Sequence, residues 1–238
     1  MRLRRGAPRE LSYVTVVTYG RTGSTAIQAS LNALPGVLVR GENYGAMRGL
    51  GTYLQAIAEV ADRHHARRPT HPWYGSANLD LTGLLADIRR HVLEQVLRPA
   101  ADTRWIGFKE VRYETGHFAN YDELLQHLIF LGQLFPGLRY LMNVRAPADA
   151  ASSGWWPKNP DAIEVLTTTR AWLLESVKDL NTFFGTRRAI GVAYERWAAD
   201  PQVLIDAYAG LGLPRADDAV RAALGERLEH GPHQGSRP

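Results

Sequence analysis

The segment Tyr-Gly-Arg-Thr-Gly-Ser-Thr at positions 19–25 brings together residue types that bind anions. Its glycines allow a ligand to approach the backbone closely, and the N–H groups and dipole of a following helix favour a negative group there. Arg21 adds a positive charge, while Ser24 and Thr25 add hydroxyl donors. We interpret the segment as an anion cradle. The other interpretation is a tight strand-to-helix turn with a capped helix.

The cradle differs from the phosphate loop of P-loop kinases and ATPases. That loop has four residues between its glycines and ends in Gly-Lys-Ser/Thr. Here two residues separate Gly20 from Gly23, and no lysine follows the second glycine. The sequence therefore predicts a phosphate-type site of another kind.

The elements that must position this segment alternate between strand and helix along the chain. Runs of β-branched and aromatic residues predict strands at 11–19, 37–40, 104–111, 138–144 and 189–194. Apolar residues three and four apart predict helices at 25–34, 47–67, 79–98, 121–135 and 163–184, and a helical tail from 203 onward. This alternation predicts an α/β fold with a mostly parallel five-stranded sheet flanked by helices.

Charged residues recur where the predicted strands end. They are Arg21, Glu42, Lys109, Glu110 and Arg145. Ligands of open parallel sheets bind beyond the carboxyl ends of the strands, so these residues are candidates for one shared site.

Three separate segments resemble sulfotransferases that use 3′-phosphoadenosine 5′-phosphosulfate (PAPS). Arg21–Thr25 is similar to the family's 5′-phosphosulfate loop: a basic residue, Ser/Thr, Gly, Ser/Thr, Thr. Arg145, with Ser153 eight residues later on the following helix, resembles the family's 3′-phosphate site. The segment from Tyr194 to Pro201 is similar to the Tyr-Glu-x-Leu…Asp-Pro segment found late in these enzymes. The matches run in the family's order from about residue 14 to 214, which implies a P-loop-like sulfotransferase architecture.

The resemblance also implies catalytic roles. Glu42, in Gly-Glu-Asn, looks like the Gly-Glu segment that supplies the base in tyrosylprotein-type sulfotransferases. Lys109 corresponds to the lysine beside the sulfuryl group, and we expect Arg21 and Lys109 to stabilise charge. Glu110 is the rival base, or it merely pairs with Arg112. Cytosolic sulfotransferases use a histidine on a later strand, and no histidine occupies that place here.

The binding residues follow from the same resemblance. The donor-binding set is Arg21, Thr22, Gly23, Ser24, Thr25, Ala26, Arg145, Ser153 and Tyr194.

Two aromatic segments are candidates for an acceptor pocket or for core packing: Trp155 and Trp156, and the loop with His71, Trp73 and Tyr74. The family's glycine- and lysine-rich C-terminal loop has no match in residues 230–238.

Composition narrows the remaining possibilities. The 238 residues include no cysteine, so disulfides, zinc–thiolate sites and cysteine nucleophiles are excluded. The spacing of His64, His65 and His71 is not that of a zinc site, and we expect no metal. The formal net charge is +4 and only three of the 28 basic residues are lysines, which suits an anionic small ligand as well as nucleic acid. No run of residues is long and apolar enough to cross a membrane, so we expect a cytoplasmic protein.

These observations predict one sulfotransferase domain over 1–238, with 1–10 a frayed N-terminus and 230–238 a C-terminal tail. PAPS would be the co-substrate and no metal would be required. The acceptor would be a hydroxyl of a small molecule, glycan or secondary metabolite, without a nucleic acid or membrane partner. A P-loop-type nucleoside or sugar kinase and a non-enzymatic nucleotide or nucleic-acid binding protein remain alternatives. The helix at 163–184 leaves a homodimer open.

Overall fold

The computed structural model describes residues 10–225 and contains one five-stranded parallel sheet. Its strands are β1 (Ser12–Val17), β2 (Val37–Arg40), β3 (Trp105–Glu110), β4 (Arg139–Val144) and β5 (Ala189–Ala193). They lie in the order β2-β3-β1-β4-β5. The predicted α/β architecture is confirmed, and all five predicted strands form at their expected places. The predicted N-terminal end at 1–10 lies outside the described residues except for Glu10, and the C-terminal tail at 230–238 lies outside them entirely.

Helices cover both faces of the sheet. They are α1 (Ser24–Asn32), α2 (Ala46–Arg63), α3 (Leu81–His91), α4 (Tyr121–Leu134), α5 (Pro147–Ala151), α6 (Ala162–Phe184), α7 (Tyr194–Ala199), α8 (Gln202–Gly210) and α9 (Asp217–Gly225). A π-helical segment, Val92–Leu97, continues α3, so the predicted helix over 79–98 is two elements in the structure. The short helices α5 and α7 were not recognised from periodicity, because five or six residues hold too few repeats of a helical pattern.

Alternating residues of β1 point into two hydrophobic cores, one on each face of the sheet. Val14 and Val16 pack with α1 and α8, whereas Tyr13 and Val17 pack with the core formed by α4 and α6. This period of two is what a strand buried on both faces requires. The α6 face is covered within the chain, since Leu166, Leu173 and Leu180 are fully buried.

The strand order places all five strand ends on one edge of the sheet. β1 is central, with β3 on one side and β4 on the other. The chain visits β2 and β3 on one side and then crosses to β4, so the order reverses at β1. Open parallel sheets bind ligands at such a reversal, beyond the carboxyl ends of the strands.

Candidate active site

A cleft of about 720 Å³ opens at the carboxyl edge of the sheet. Its walls come from the residues after every strand and from α9. The lining residues are Gly20, Arg21, Gly23, Ser24, Thr25, Ala26, Glu42, Lys109, Val111, Arg145, Trp155, Tyr194, Trp197, Ala198, Pro201, Arg221, Leu224 and Gly225. Four of them are cationic and one is anionic, so the cleft is built for a negatively charged ligand.

The loop between β1 and α1 presents an open helix N-terminus to this cleft. Gly23 is the N-cap residue in the left-handed conformation, with φ +75°, and no side chain caps the first turn. Arg21 is also left-handed, with φ +71°. A Cβ at Gly23 would lie 2.8 Å from ring atoms of Tyr194 and Trp197, so both the conformation and the space require glycine. The first turn of α1 is therefore available to an anion.

Thr22 supports the loop from beneath. Its side chain is fully buried and its hydroxyl lies 2.7 Å from that of Thr18. The Nδ2 of Asn143 on β4 donates to the carbonyl of Thr22 at 2.9 Å, and Trp197 donates to Asn143 Oδ1 at 2.9 Å. The Thr22 side chain is enclosed by protein and does not line the cleft, and donor binding by Thr22 remains a prediction.

Arg21 and Arg145 line the same cleft and are joined through the loop backbone. Arg145 Nη1 donates to the carbonyl oxygen of Arg21 at 2.9 Å, and Arg21 Nε donates to Ser153 Oγ at 2.9 Å. Ser153 lies two residues beyond the end of α5, so its expected place on the following helix is wrong. Its hydroxyl positions Arg21 and does not itself line the cleft.

Arg145 is held by aromatic residues from two other elements. Its guanidinium lies 4.4 Å from the ring centre of Tyr194. The Tyr19 hydroxyl accepts from the backbone N–H of Arg145 at 2.8 Å and donates to its carbonyl oxygen. Burial raises the pKa of Tyr19 to about 12, so the phenol stays protonated and keeps both bonds. Arg145 Nε is buried and has no hydrogen-bond partner among the described residues, and other atoms of Arg145 line the cleft.

The ends of β2 and β3 supply a carboxylate beside two cations. Lys109 Nζ lies 2.6 Å from Glu42 Oε1, and Arg112 Nη1 lies 3.2 Å from Glu42 Oε2. Lys109 is buried, whereas the Glu42 side chain is 36% exposed at the cleft. An ammonium has three N–H donors, so Lys109 can hold Glu42 and still donate to a ligand.

Glu110 is bound to the backbone around this pair. Its Oε2 accepts from the N–H groups of Asn43 at 3.2 Å and Gly45 at 2.8 Å. Its Oε1 accepts from Val111 N at 2.8 Å and from Arg112 Nη1 at 3.1 Å. The carboxylate is buried and does not line the cleft. The geometry favours Glu42 over Glu110 as the base, and the pairing of Glu110 with Arg112 is present.

The two adjacent tryptophans have different environments. Trp155 is half exposed, lines the cleft and lies against Gly20, where a Cβ would clash with the indole. Trp156 is only 4% exposed and belongs to the core on the other side of the segment. Trp156 does not line the cleft, because its ring is covered by protein, and acceptor binding by Trp156 remains a prediction.

The loop with His71, Trp73 and Tyr74 lies between α2 and α3 and does not line the cleft. All three residues are exposed, and the Trp73 ring stacks on His64 at 4.3 Å. The structure gives this loop no contact with the candidate active site. In residues 10–225, no group of three histidine or acidic side chains is arranged to hold a metal ion.

Sequence reasoning missed three residues of the site. Arg221, on α9, lines the cleft opposite the sheet. Arg112 bridges Glu42 and Glu110, and its guanidinium lies 4.0 Å from the ring centre of Tyr44. Tyr44 is 82% exposed and left-handed, with φ +59°, a strained conformation for an aromatic residue. The sequence named Arg112 only as a partner of Glu110, and Arg221 had no signal.

The architecture of this chain is the sulfotransferase fold. The chain is similar to the sulfotransferase domain of the Synechococcus PCC 7002 olefin synthase, with a TM-score of 0.56 and 17% identity. It is also similar to the sulfotransferase domain from the curacin biosynthetic pathway, with a TM-score of 0.55 and 17% identity. Each comparison covers 95% of this chain and 82% of the other.

No protein-family model and no curated protein matches this sequence. At 17% identity the structural likeness shows the fold alone. Within residues 10–225, no helix has the length and apolar character needed to span a bilayer.

Proposed function

We propose that this protein transfers the sulfuryl group of PAPS to an acceptor hydroxyl and releases adenosine 3′,5′-bisphosphate. The acceptor is a hydroxyl of a small molecule, a glycan or a secondary metabolite. The observation that carries the proposal is the single cleft that holds Arg21, Arg145 and the ion pair of Lys109 with Glu42. The fold shared with sulfotransferase domains supports it.

The donor would use the two cationic ends of the cleft. The first turn of α1, with Ser24, Thr25 and Arg21, would hold the 5′-phosphosulfate. Arg145, which lines the cleft, would hold the 3′-phosphate through its guanidinium. Tyr194 would keep the Arg145 guanidinium in place by stacking on it. Ser153 would act through Arg21, because its hydroxyl binds Arg21 Nε.

The reaction would form one bond to sulfur and break another. The acceptor oxygen attacks sulfur, the bond from sulfur to the 5′-phosphate oxygen breaks, and the Glu42 carboxylate takes the hydroxyl proton. Negative charge develops on the departing phosphate oxygen. Lys109 and Arg21 would stabilise that charge, as fixed cations do in the related phosphoryl transfers.

A thermal-shift comparison tests the donor site. Adenosine 3′,5′-bisphosphate should raise the melting temperature more than ATP or AMP at equal concentration, because a bound ligand stabilises only the folded state. Arg145→Ala should abolish the difference. Arg90→Ala is the control, since Arg90 is exposed on α3 and bonds only to Asp87 among the described residues. An equal response to all three nucleotides would contradict the donor assignment.

A transfer assay tests the reaction. PAPS and a mixed panel of alcohols, phenols and sugars should yield sulfated product and adenosine 3′,5′-bisphosphate in equal amounts, measured by mass spectrometry. Phosphorylated product from Mg·ATP would instead support the kinase. Tight binding of an oligonucleotide that weakens steeply with salt, without turnover, would support a nucleic-acid binding protein.

A further inference from the structure

A second cavity, of about 380 Å³, lies between α2, α3 and α4. It shares no lining residue with the cleft described above. Most of its wall area is apolar, although seven of its 14 lining residues carry polar or charged groups. The lining residues are Arg48, Gly51, Thr52, Leu54, Gln55, Ala58, Leu81, Leu85, Phe118, Glu123, Gln126, His127, Phe130 and Gln133. Its size is within the range of small-molecule sites.

The cavity exists because two amphipathic helices are incompletely covered. Of the 18 residues of α2, only Met47 and Leu54 are buried, and α3 buries none of its 11 residues. Both helices nevertheless carry apolar residues at three- and four-residue spacing, such as Leu81, Leu85 and Ile88. Such faces normally bury themselves against protein. Here they meet across open space.

Aromatic rings and one imidazole form the α4 side of the cavity. The His127 ring lies 5.5 Å from Phe118 and 6.1 Å from Phe130, measured between ring centres. Burial lowers the pKa of His127 to about 4, so the imidazole is neutral at pH 7. Gly51 lets α2 approach Phe130, because a Cβ there would lie 3.1 Å from the ring. These walls suit an uncharged, apolar group.

One end of the cavity lies towards the candidate base. Arg48 is in the first turn of α2, six residues after Glu42, and donates to the carbonyl of His117. The His117 ring nitrogen Nε2 lies 3.3 Å from Oε1 of Glu114, which follows Arg112 by two residues. Arg112 in turn binds Glu42 at 3.2 Å. These contacts place the Arg48 end of the cavity on the side of the molecule where Glu42 lies.

We propose that this cavity holds the apolar body of the acceptor, whose hydroxyl extends towards Glu42. The substrate class is therefore an alcohol with an extended apolar chain or ring system. This inference rests on the proposed sulfuryl transfer. The residues that line this cavity would then determine acceptor specificity, and they are separate from the residues proposed to bind the nucleotide.

A series of primary alcohols tests the proposal. With saturating PAPS, kcat/KM should rise from ethanol through 1-butanol and 1-hexanol to 1-octanol, by up to about fourfold for each methylene buried. Thr52→Trp should fill the cavity and remove this rise while leaving the thermal shift by adenosine 3′,5′-bisphosphate unchanged. Gln55→Trp is a second variant in case the first does not fold. Tyr53→Trp is the control, because Tyr53 is on α2 and half exposed outside the cavity.

The outcomes separate this inference from the function on which it rests. Sulfation with the same kcat/KM for every alcohol, or a rise that both tryptophan variants retain, would overturn the cavity assignment and leave the sulfotransferase intact. If no alcohol is sulfated, calorimetric binding of 1-octanol to the protein and its loss in Thr52→Trp would support the cavity while the proposed function fails. Absence of both sulfation and 1-octanol binding would overturn the inference.

Discussion

The ammonium of Lys109 and the carboxylate of Glu42 lie 2.6 Å apart, although 67 residues separate them in the chain. The register of β2 against β3 explains this contact. Arg40 pairs with Phe108, so the residues just beyond each strand reach the same edge of the sheet. The cation and the candidate base are thus positioned by neighbouring strands, which are rigid supports.

Replacing the candidate base should remove turnover and spare nucleotide binding. Glu42→Gln keeps the size of the side chain but cannot accept the acceptor proton, so kcat should fall by about 10²- to 10⁴-fold. The thermal shift by adenosine 3′,5′-bisphosphate should persist. Glu164→Gln is the matched control, because Glu164 is an exposed carboxylate in the first turn of α6. Full activity of Glu42→Gln on a good acceptor would refute the assignment.

Glu110→Gln should act on stability first. The amide group would face backbone N–H groups that now donate to a carboxylate, and the lost bonds should lower the free energy of unfolding by about 1–3 kcal/mol. Turnover should fall as well, because Asn43, Gly45 and Arg112 lose the group that holds them beside Glu42. Denaturant unfolding and kcat measure the two effects. Lost turnover with unchanged unfolding would instead identify Glu110 as the base.

Gly23→Ala should impair the anion site specifically. An alanine at φ +75° costs about 1–3 kcal/mol, and its Cβ would also meet Tyr194 and Trp197. We expect a lower unfolding free energy and loss of the thermal shift by adenosine 3′,5′-bisphosphate. Gly212→Ala has the same left-handed conformation, φ +81°, with no atom near the added Cβ. It should show the backbone cost alone and retain the nucleotide response.

Replacing Trp155 or Trp156 by alanine should have different effects on stability and on activity. Trp156→Ala removes a core indole and should lower the free energy of unfolding by about 3–5 kcal/mol. Trp155→Ala removes a half-exposed ring and should change stability by less than about 1 kcal/mol, with its main effect on KM for donor or acceptor. Calorimetry and steady-state kinetics measure these effects. Equal destabilisation by both changes would contradict the structure.

His127 should make stability depend on pH. Its pKa falls to about 4 in the folded protein from an ordinary 6.5, so the unfolded chain binds the proton more tightly. The stabilisation is complete above about pH 6.5 and is lost as the pH falls towards 4. Between pH 7.5 and 5, wild type should lose about 2 kcal/mol relative to His127→Gln.

Urea unfolding at several pH values measures this difference. Gln126→Ala is the control, because it alters the neighbouring position without a titratable group. A constant difference between wild type and His127→Gln across this range would show that the imidazole is not desolvated as the structure places it.

Residue type and local spacing were sufficient to predict the strands, the longer helices and the edge of the sheet at which the charged residues meet. Strand and helix periodicities are local, and parallel strands necessarily gather their carboxyl ends. Arg21, Glu42, Lys109 and Arg145 are therefore recognisable as candidates from the sequence alone.

Only the tertiary structure decided which of two neighbours faces the cleft. Trp155 and Trp156 are adjacent and of the same type. Glu42 and Glu110 are both carboxylates near the ends of paired strands. Their roles depend on what packs behind them, which comes from distant parts of the chain. The same is true of Thr22, covered by Asn143 and Trp197, and of the cavity between α2, α3 and α4. Burial is a property of neighbours brought together by the fold, and local spacing carries no record of it.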